Sequence, residues 1–309
     1  MQAITTHNLT KKYGKKTVVN HINLSVKKGI IFGFLGRNGA GKSTFINMMT
    51  GLAKPTSGSF EILGHQESAR KDIQRKMGVL PDYSSFYEND TALDHLTYFS
   101  KILQLSLSKE ELRQTLIKVG LEDAANVKIK NFSFGMKKKL GIAQAIMNQP
   151  EILFLDEPTS GVDANSVLTI HALIKEIAST GTTIFLTSHN LDEVEKLCDE
   201  VAIMNKGVIQ TKGNMDQLRA QYQQNIAIYI KHSILSENQQ IDLKKELSFL
   251  AESSNITSTY SELFVKDEKV IPEINRILVN NLIDVYRIEV DQPSLEEIFL
   301  HLGEDRESA

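Results

Sequence analysis

The apolar positions of this chain fall into two periods that alternate along its first two thirds. Residues 3–35 run through short β-rich stretches separated by turn signals. They end in Ile30-Ile31-Phe32-Gly33-Phe34-Leu35, an unbroken apolar run that predicts a buried strand. A helix is expected from about Lys42 to a stop at Gly51. Between Leu93 and Gly120 the pattern is helical, with Ser108 and Glu111 forming a capping box and Gly120 a C-terminal stop. Ile152 to Leu155 is again an apolar strand, closed by Asp156 and Glu157. From Asp163 onward Val167, Ile170, Leu173, Ile174 and Ile177 recur at helical spacing, as on a helix packed with one face on a sheet. Thr183 to Thr187 reads as another buried strand, and Asn190 with Glu193 as a second capping box that starts a helix just past His189.

This alternation predicts a mostly parallel α/β sheet. The polar, glutamine-rich segment Met215 to Asn225 marks a boundary, after which the pattern resets. A strand is expected near Ile226–Ile230, a helix near Asp242–Leu250 and two short strands around Ile256–Val265. A helix near Ile271–Val279, a strand near Ile283–Val290 and a last helix from Pro293 complete a small α+β unit.

Composition narrows the class. A chain of 309 residues has room for two domains, and 41% hydrophobic with 24% charged residues is globular. The net charge of −3 gives no electrostatic pull toward nucleic acid, so no nucleic-acid partner is expected. The basic stretches Lys11-Lys12, Lys15-Lys16 and Lys137 to Lys139 read as solvated faces. Cys198 is the single cysteine, which excludes an internal disulfide framework and a cysteine-based metal cluster and fits a reducing compartment. The first residues hold no apolar h-region, and no run of about 18 apolar residues occurs. A cytoplasmic chain that does not span a membrane is expected.

Candidate chemistry begins at Gly36-Arg37-Asn38-Gly39-Ala40-Gly41-Lys42-Ser43, which matches G-x-x-x-x-G-K-[ST] between a predicted strand and a predicted helix. Glycines let backbone N–H groups close around phosphate oxygens, and the helix N-terminus adds partial positive charge. Lys42 would reach the β- and γ-phosphates and the Ser43 hydroxyl would ligate Mg²⁺. The plainer alternative is a glycine turn before a helix. Asp156 is placed to hold Mg²⁺ through water, and Glu157 to orient or deprotonate an attacking water. His189 alone reads more readily as a structural histidine. One residue past a core strand, it becomes a hydrogen-bonding partner for a γ-phosphate. Gly36, Asp156 and His189 each follow a predicted buried strand, and ligands of open α/β sheets collect at the carboxyl ends.

In this order, Tyr13, Gly36 to Thr44, Ser133-Phe134-Gly135-Met136, Asp156-Glu157, Ser160-Gly161-Val162-Asp163 and His189 resemble the ATP-binding subunit of ABC transporters, over roughly the first 220 positions. The resemblance implies a P-loop NTPase core with an N-terminal antiparallel β subdomain and a helical subdomain at about 85–148. It places an ATPase domain at 1–220 and the α+β accessory domain at 221–309. It implies that Gly36, Arg37, Asn38, Gly39, Ala40, Gly41, Lys42, Ser43 and Thr44 hold ATP and that Tyr13 stacks on adenine, although an exposed loop tyrosine remains the simpler reading. Asp163 occupies the position that couples two subunits, and it also suits the N-cap of the helix that follows.

Ser133 to Met136 stands where the family signature, usually Leu-Ser-Gly-Gly-Gln, closes over ATP held by a second subunit. Ser133 and Gly135 match; Phe132, Phe134 and Met136 depart. The bland alternative is a helix cap. Against it, Lys137 to Lys139 near a helix start oppose the macrodipole by up to roughly 1 kcal/mol each, which an anion nearby would offset. Asp82, in Leu80-Pro81-Asp82, stands where the family usually has a glutamine that contacts Mg²⁺ and senses the permease. The stretch Asp291 to Leu300 resembles the tail of cassettes serving multidrug and antibiotic exporters.

The implied protein is an ATP-hydrolysing subunit, paired with a second cassette and attached through an integral-membrane permease to the cytoplasmic face of a membrane. It would energise export of a drug, peptide or lipid-like substrate. The alternatives are a soluble ABC-type ATPase acting in translation or DNA repair, and a non-hydrolysing regulatory module suggested by Asp82 and Phe134. A GTPase is disfavoured, because Asn205-Lys206-Gly207 lacks the aspartate that would read guanine.

Overall fold

The computed structural model describes residues 1–82, 85–222, 226–291 and 294–304. In chain order the first part comprises β1 (Gln2–Tyr13), β2 (Lys16–Lys27), β3 (Ile31–Leu35), α1 (Lys42–Met49), β4 (Ser57–Ile62), β5 (His65–Gln66), α2 (Arg70–Arg75) and β6 (Met77–Leu80). It continues with α3 (Ala92–Ile102), α4 (Lys109–Lys118), α5 (Phe134–Ile146), β7 (Ile152–Asp156), α6 (Ala164–Ser179), β8 (Thr183–Ser188), α7 (Leu191–Leu197), β9 (Glu200–Asn205) and β10 (Val208–Gly213). The remainder is α8 (Met215–Tyr222), β11 (Ile226–His232), α9 (Glu237–Leu247), β12 (Ser253–Ile256), β13 (Tyr260–Val265), α10 (Ile271–Asn280), β14 (Val285–Asp291) and α11 (Leu295–Glu304). The chain divides into two compact units, Met1–Met215 and Asp216–Ala309.

In the first unit β1 and β2 form one long hairpin instead of several short strands. Register shifts at four places along the pair interrupt the alternation of inward and outward residues, so the sequence reads as broken runs. With β4 and β5 the hairpin makes a four-stranded antiparallel sheet in the order β2-β1-β4-β5. The central sheet has the order β10-β9-β3-β8-β7-β6, parallel except for its edge strand β10.

Strands β3, β7 and β8 are buried along their whole length, as a sheet covered on both faces requires. Phe45 of α1 packs against Phe34 and Phe185 with ring centroids 4.9 and 5.6 Å away. Burying such a ring contributes on the order of 2–3 kcal/mol and fixes the start of α1 beyond the end of β3.

The helical region expected from Leu93 to Gly120 is two helices, α3 and α4, each opened by a capping box: Thr91 with Asp94, and Ser108 with Glu111. Helix α5 buries Leu140 and Ala143, and its C-cap residue Met147 is buried as well. The helix approaches β6 so closely that a Cβ on Gly78 would lie 2.0 Å from the Ala145 carbonyl oxygen.

The second unit runs β-α-β-β-α-β with the antiparallel order β12-β13-β11-β14, the split βαβ arrangement of ferredoxin-like domains. Ile228, Ile230, Leu243, Leu247, Leu263, Ile274 and Leu278 form its core. Helix α9 starts earlier than the periodicity predicts because Ser236 and Gln239 form a capping box. Residues 223–225 of the expected boundary, and Gln292 and Pro293 of the tail, lie outside the described residues.

Candidate phosphate site

The parallel register of the central sheet brings three strand ends level: Leu35 pairs with Ser188, and Asp156 with Thr187. The loop from Gly36 to Gly41 leaves β3 and turns directly into α1, with Gly41 as N-cap at φ 114°. That left-handed backbone strains any L side chain, and a Cβ on Gly41 would also lie 2.6 Å from the Val18 carbonyl oxygen. The loop is tied down from outside: the Gly207 amide donates to the Ala40 carbonyl at 3.0 Å, and the Gly207 carbonyl accepts from the Asn20 amide at 2.8 Å.

A cleft of about 270 Å³ opens over this loop, lined by Asn38, Gly39, Ala40, Gly41, Lys42, Ser43 and Thr44 together with Asp82, Glu157, Lys16 and Val18. Lys42 is buried and donates to the Gly36 carbonyl at 2.7 Å, with Glu157 Oε1 3.8 Å from its Nζ. The other Glu157 oxygen accepts from His189 Nδ1 at 2.8 Å, while the His189 ring stays half exposed. Neutral or protonated, a histidine that donates through Nδ1 leaves Nε2 for a second partner. Asp156 is buried and accepts from the Thr187 hydroxyl, which in turn accepts from the Glu157 amide at 3.1 Å. One threonine therefore orders both carboxylate-bearing residues.

Other expected site residues lie apart from this cleft. Ser133 caps α5 by accepting from the Met136 amide at 3.2 Å. Gly135 is buried, and a Cβ there would lie 2.8 Å from Ser166 Oγ, so the packing of α5 on α6 itself demands glycine. Phe134 sits in the first helical turn, 54% exposed, with its ring against Gly161. Asp163 caps α6 by accepting from the Ser166 amide at 3.0 Å, and these hydrogen bonds from Ser166 hold its carboxyl below the usual range. Tyr13 ends β1, half exposed, with the Lys11 ammonium 4.9 Å from its ring centroid. From the hairpin it is Lys16 and Val18 that line the cleft.

Two expectations need correction. Lys137 to Lys139 are not a uniformly solvated face. Lys137 pairs with Glu88 at 3.4 Å, and Lys138 is buried, donating to the carbonyls of Glu157 and Asp82 at 2.8 and 3.2 Å. The acceptors that offset the helix dipole, one carboxylate and two main-chain carbonyls, thus come from the chain's own loops.

The second correction concerns Glu193. Asn190 does cap α7, but the Glu193 carboxylate turns inward instead of back to the cap. Its Oε1 accepts from Thr159 Oγ1 at 2.6 Å and His171 Nε2 at 2.7 Å, and its Oε2 from Ser188 Oγ at 3.1 Å.

A family profile described as "ABC transporter" matches residues 19–160, and another, "ATP-binding protein DrrA1-3-like, C-terminal domain", matches residues 213–302. Over 305 residues the chain is 36% identical to the "Bacitracin transport ATP-binding protein BcrA" of Bacillus licheniformis, across 97% of this chain and 96% of that protein. The chain belongs to the ATP-binding subunits of ABC transporters. It is also 34% identical over 305 residues to the "Linearmycin resistance ATP-binding protein LnrL" of Bacillus subtilis, covering 96% of each. A solved "Structure of ATP binding subunit of ABC transporter" superposes with a TM-score of 0.64 at 28% identity, over 71% of this chain and 93% of that one.

As a member of this ATPase family the chain binds ATP, and the cleft suits that ligand. Gly39, at φ 82°, has nothing within 4 Å of the position a Cβ would take, so the loop backbone is open to an anion. Among the described residues no three His, Cys, Asp or Glu side chains converge as a metal cage. Ser43 and Asp82 line the cleft and Asp156 directly precedes the cleft-lining Glu157, and their hydroxyl and carboxylate oxygens are of the kind Mg²⁺ takes alongside phosphates.

Sequence reasoning missed Thr187, Lys138, His171 and Thr159. Only the burial of Thr187 was visible, through its place in an apolar strand.

Proposed function

We propose that this chain is the ATP-hydrolysing half of an exporter of antibiotic, peptide or lipid-like molecules, paired with a second cassette and held by a permease at the cytoplasmic face of a membrane. The contact of Glu157 with both Lys42 and His189 carries the reading. It gathers a phosphate-binding cation, a general base and an orienting imidazole at one sheet edge.

In this reading the backbone of Gly36 to Gly41 and Lys42 bind the phosphates. Glu157 takes the proton of the attacking water, and His189, anchored through Nδ1, offers Nε2 to the γ-phosphate. Ser43, Asp156 and Asp82 would hold a Mg²⁺ ion, which would supply positive charge beside the phosphates. Ser133 and Gly135 stand outside the chain's own cleft, which supports a role at the cleft of a partner cassette, with Asp163 nearby at the start of α6. The ATPase domain is assigned to 1–220 and the accessory domain to 221–309. No helix among the described residues is long and apolar enough to cross a membrane, so the membrane path is assigned to a separate permease. The exporter assignment draws on the printed roles of the relatives in bacitracin transport and linearmycin resistance.

The test is ATP turnover of the full chain purified with its co-expressed permease. Glu157→Gln should bind ATP, favour the paired state and lose about 10²-fold or more in kcat. Turnover equal to the native protein would overturn the assignment. Recovery of the chain with ribosomes or DNA instead of a membrane protein would favour the soluble alternative.

A further inference from the structure

Lys138 is an ionisable side chain only 5% exposed. A buried ammonium needs acceptors, because removing its hydration without them is costly. Here it finds two main-chain carbonyls on different segments: that of Glu157 at 2.8 Å, just past β7, and that of Asp82 at 3.2 Å, two residues past β6. The Asp82 carboxylate adds a contact at 3.8 Å. Strands β6 and β7 are neighbours, with Leu80 paired to Leu155, so the ammonium bridges the two loops that leave adjacent strands at the nucleotide edge.

Glu157 itself stands at φ 51°, a left-handed backbone that a non-glycine residue adopts only when its surroundings impose it. Its amide is held by Thr187 and its carboxylate by Lys42 and His189. The grip of Lys138 on its carbonyl adds a further restraint.

We propose that Lys138 is a positioning residue for hydrolysis: its buried ammonium fixes the backbone of Glu157 and ties it to the loop that carries Asp82. Any displacement of the Asp82 segment is then transmitted to the general base through one side chain. The inference rests on the ATPase reading of the cleft. Lys138 is not among the residues that line the cleft, so its loss should weaken turnover and spare binding.

The experiment compares Lys138→Met, Lys138→Gln and Lys138→Arg in the full chain, each alone and with Glu157→Gln. ATP turnover is read alongside equilibrium binding of a fluorescent ATP analogue. Lys138→Met should lower kcat about tenfold or more, with KM and analogue affinity within about threefold, as expected when catalysis is lost without uniform binding. Lys138→Arg, which keeps a charged donor, should recover part of the loss, and Lys138→Gln should fall between. On the Glu157→Gln background the same substitutions should cost less than about twofold, since residues acting through one group are not additive.

Unchanged kcat in Lys138→Met overturns the proposal, as do equal losses in binding and turnover, or factors that multiply in the double variants. Should Lys138→Met fail to fold, Lys138→Gln decides by the same criteria. If Glu157→Gln retains native turnover, the ATPase assignment of Glu157 fails and the positioning role falls with it. Normal loss in Glu157→Gln with no loss in the Lys138 variants overturns the positioning role alone.

Discussion

His171 Nε2 donates to Glu193 Oε1 at 2.7 Å, joining the middle of α6 to the first turn of α7. The same carboxylate holds Thr159, in the turn leading to Asp163, and Ser188, the residue before His189. The turn after β7 and the end of β8 therefore share one buried acceptor.

Replacing Glu193 by Ala would strand several donors at once. Leaving a buried donor unsatisfied costs about 1–3 kcal/mol, so Glu193→Ala should lower unfolding stability by at least about 2 kcal/mol. Glu193→Gln should cost less. Urea unfolding monitored by circular dichroism reads the difference; a change under about 0.5 kcal/mol would mean that the cluster does not hold the fold.

Ser133 has two roles that substitution can separate. Ser133→Ala removes an N-cap and should destabilise the chain by about 0.5–2 kcal/mol. Ser133→Asp keeps a capping oxygen and should preserve stability, yet it sets a carboxylate where the reading above brings a γ-phosphate. Turnover and ATP-dependent pairing should then collapse while ATP binding to a single chain persists. Normal pairing of Ser133→Asp, measured by light scattering, would reduce the serine to a cap. Gly135→Val cannot make this distinction, because the added side chain would collide with Ser166 within the same chain.

Gly41→Ala should both destabilise the protein, by about 1–3 kcal/mol for the strained backbone, and weaken nucleotide binding. In thermal unfolding with and without Mg²⁺ and ATP, the ligand-induced rise in Tm should shrink, since that rise follows ligand concentration over Kd. An undiminished rise would show that the loop tolerates a side chain at φ 114°.

Burial pushes the Cys198 thiol well above its ordinary range, with the charges of Asp199 and Glu193 adding to the shift. A raised pKa lowers the fraction of thiolate at neutral pH, and the thiolate is the reactive form. Iodoacetamide at pH 8 should label folded protein at least about tenfold more slowly than an unperturbed thiol and label it fully in denaturant. Mass spectrometry measures both; rapid labelling of the folded chain would contradict the raised pKa.

What the sequence made legible was local in character. The apolar runs of β3, β7 and β8, the loop at Gly36 to Ser43 and the caps at Ser108 and Asp163 each depend on a few adjacent residues. The bridges that organise the site span greater separations: Lys138 reaches back to Asp82 and forward to Glu157, and Glu193 reaches back to Thr159 and His171. No periodicity records such pairings. A lysine inside a basic run reads as solvated and a glutamate at the third position of a helix reads as a capping partner, and both readings proved wrong. The β1–β2 hairpin was obscured for a different reason, since its register shifts break the alternation that marks a strand. The strand order of the second unit was hidden because order is a property of the folded sheet and not of any one segment.

The hydrogen bonds of Gly207 to Ala40 and Asn20 give the N-terminal hairpin a stake in the ligand. Nucleotide seated on the loop restrains Ala40, Ala40 restrains the turn at Gly207, and that turn restrains β2. Amide exchange at Asn20 and Gly207 should slow when ATP binds, although neither residue belongs to the phosphate loop. Occupancy of the loop can thus be timed from a strand that precedes it in the chain.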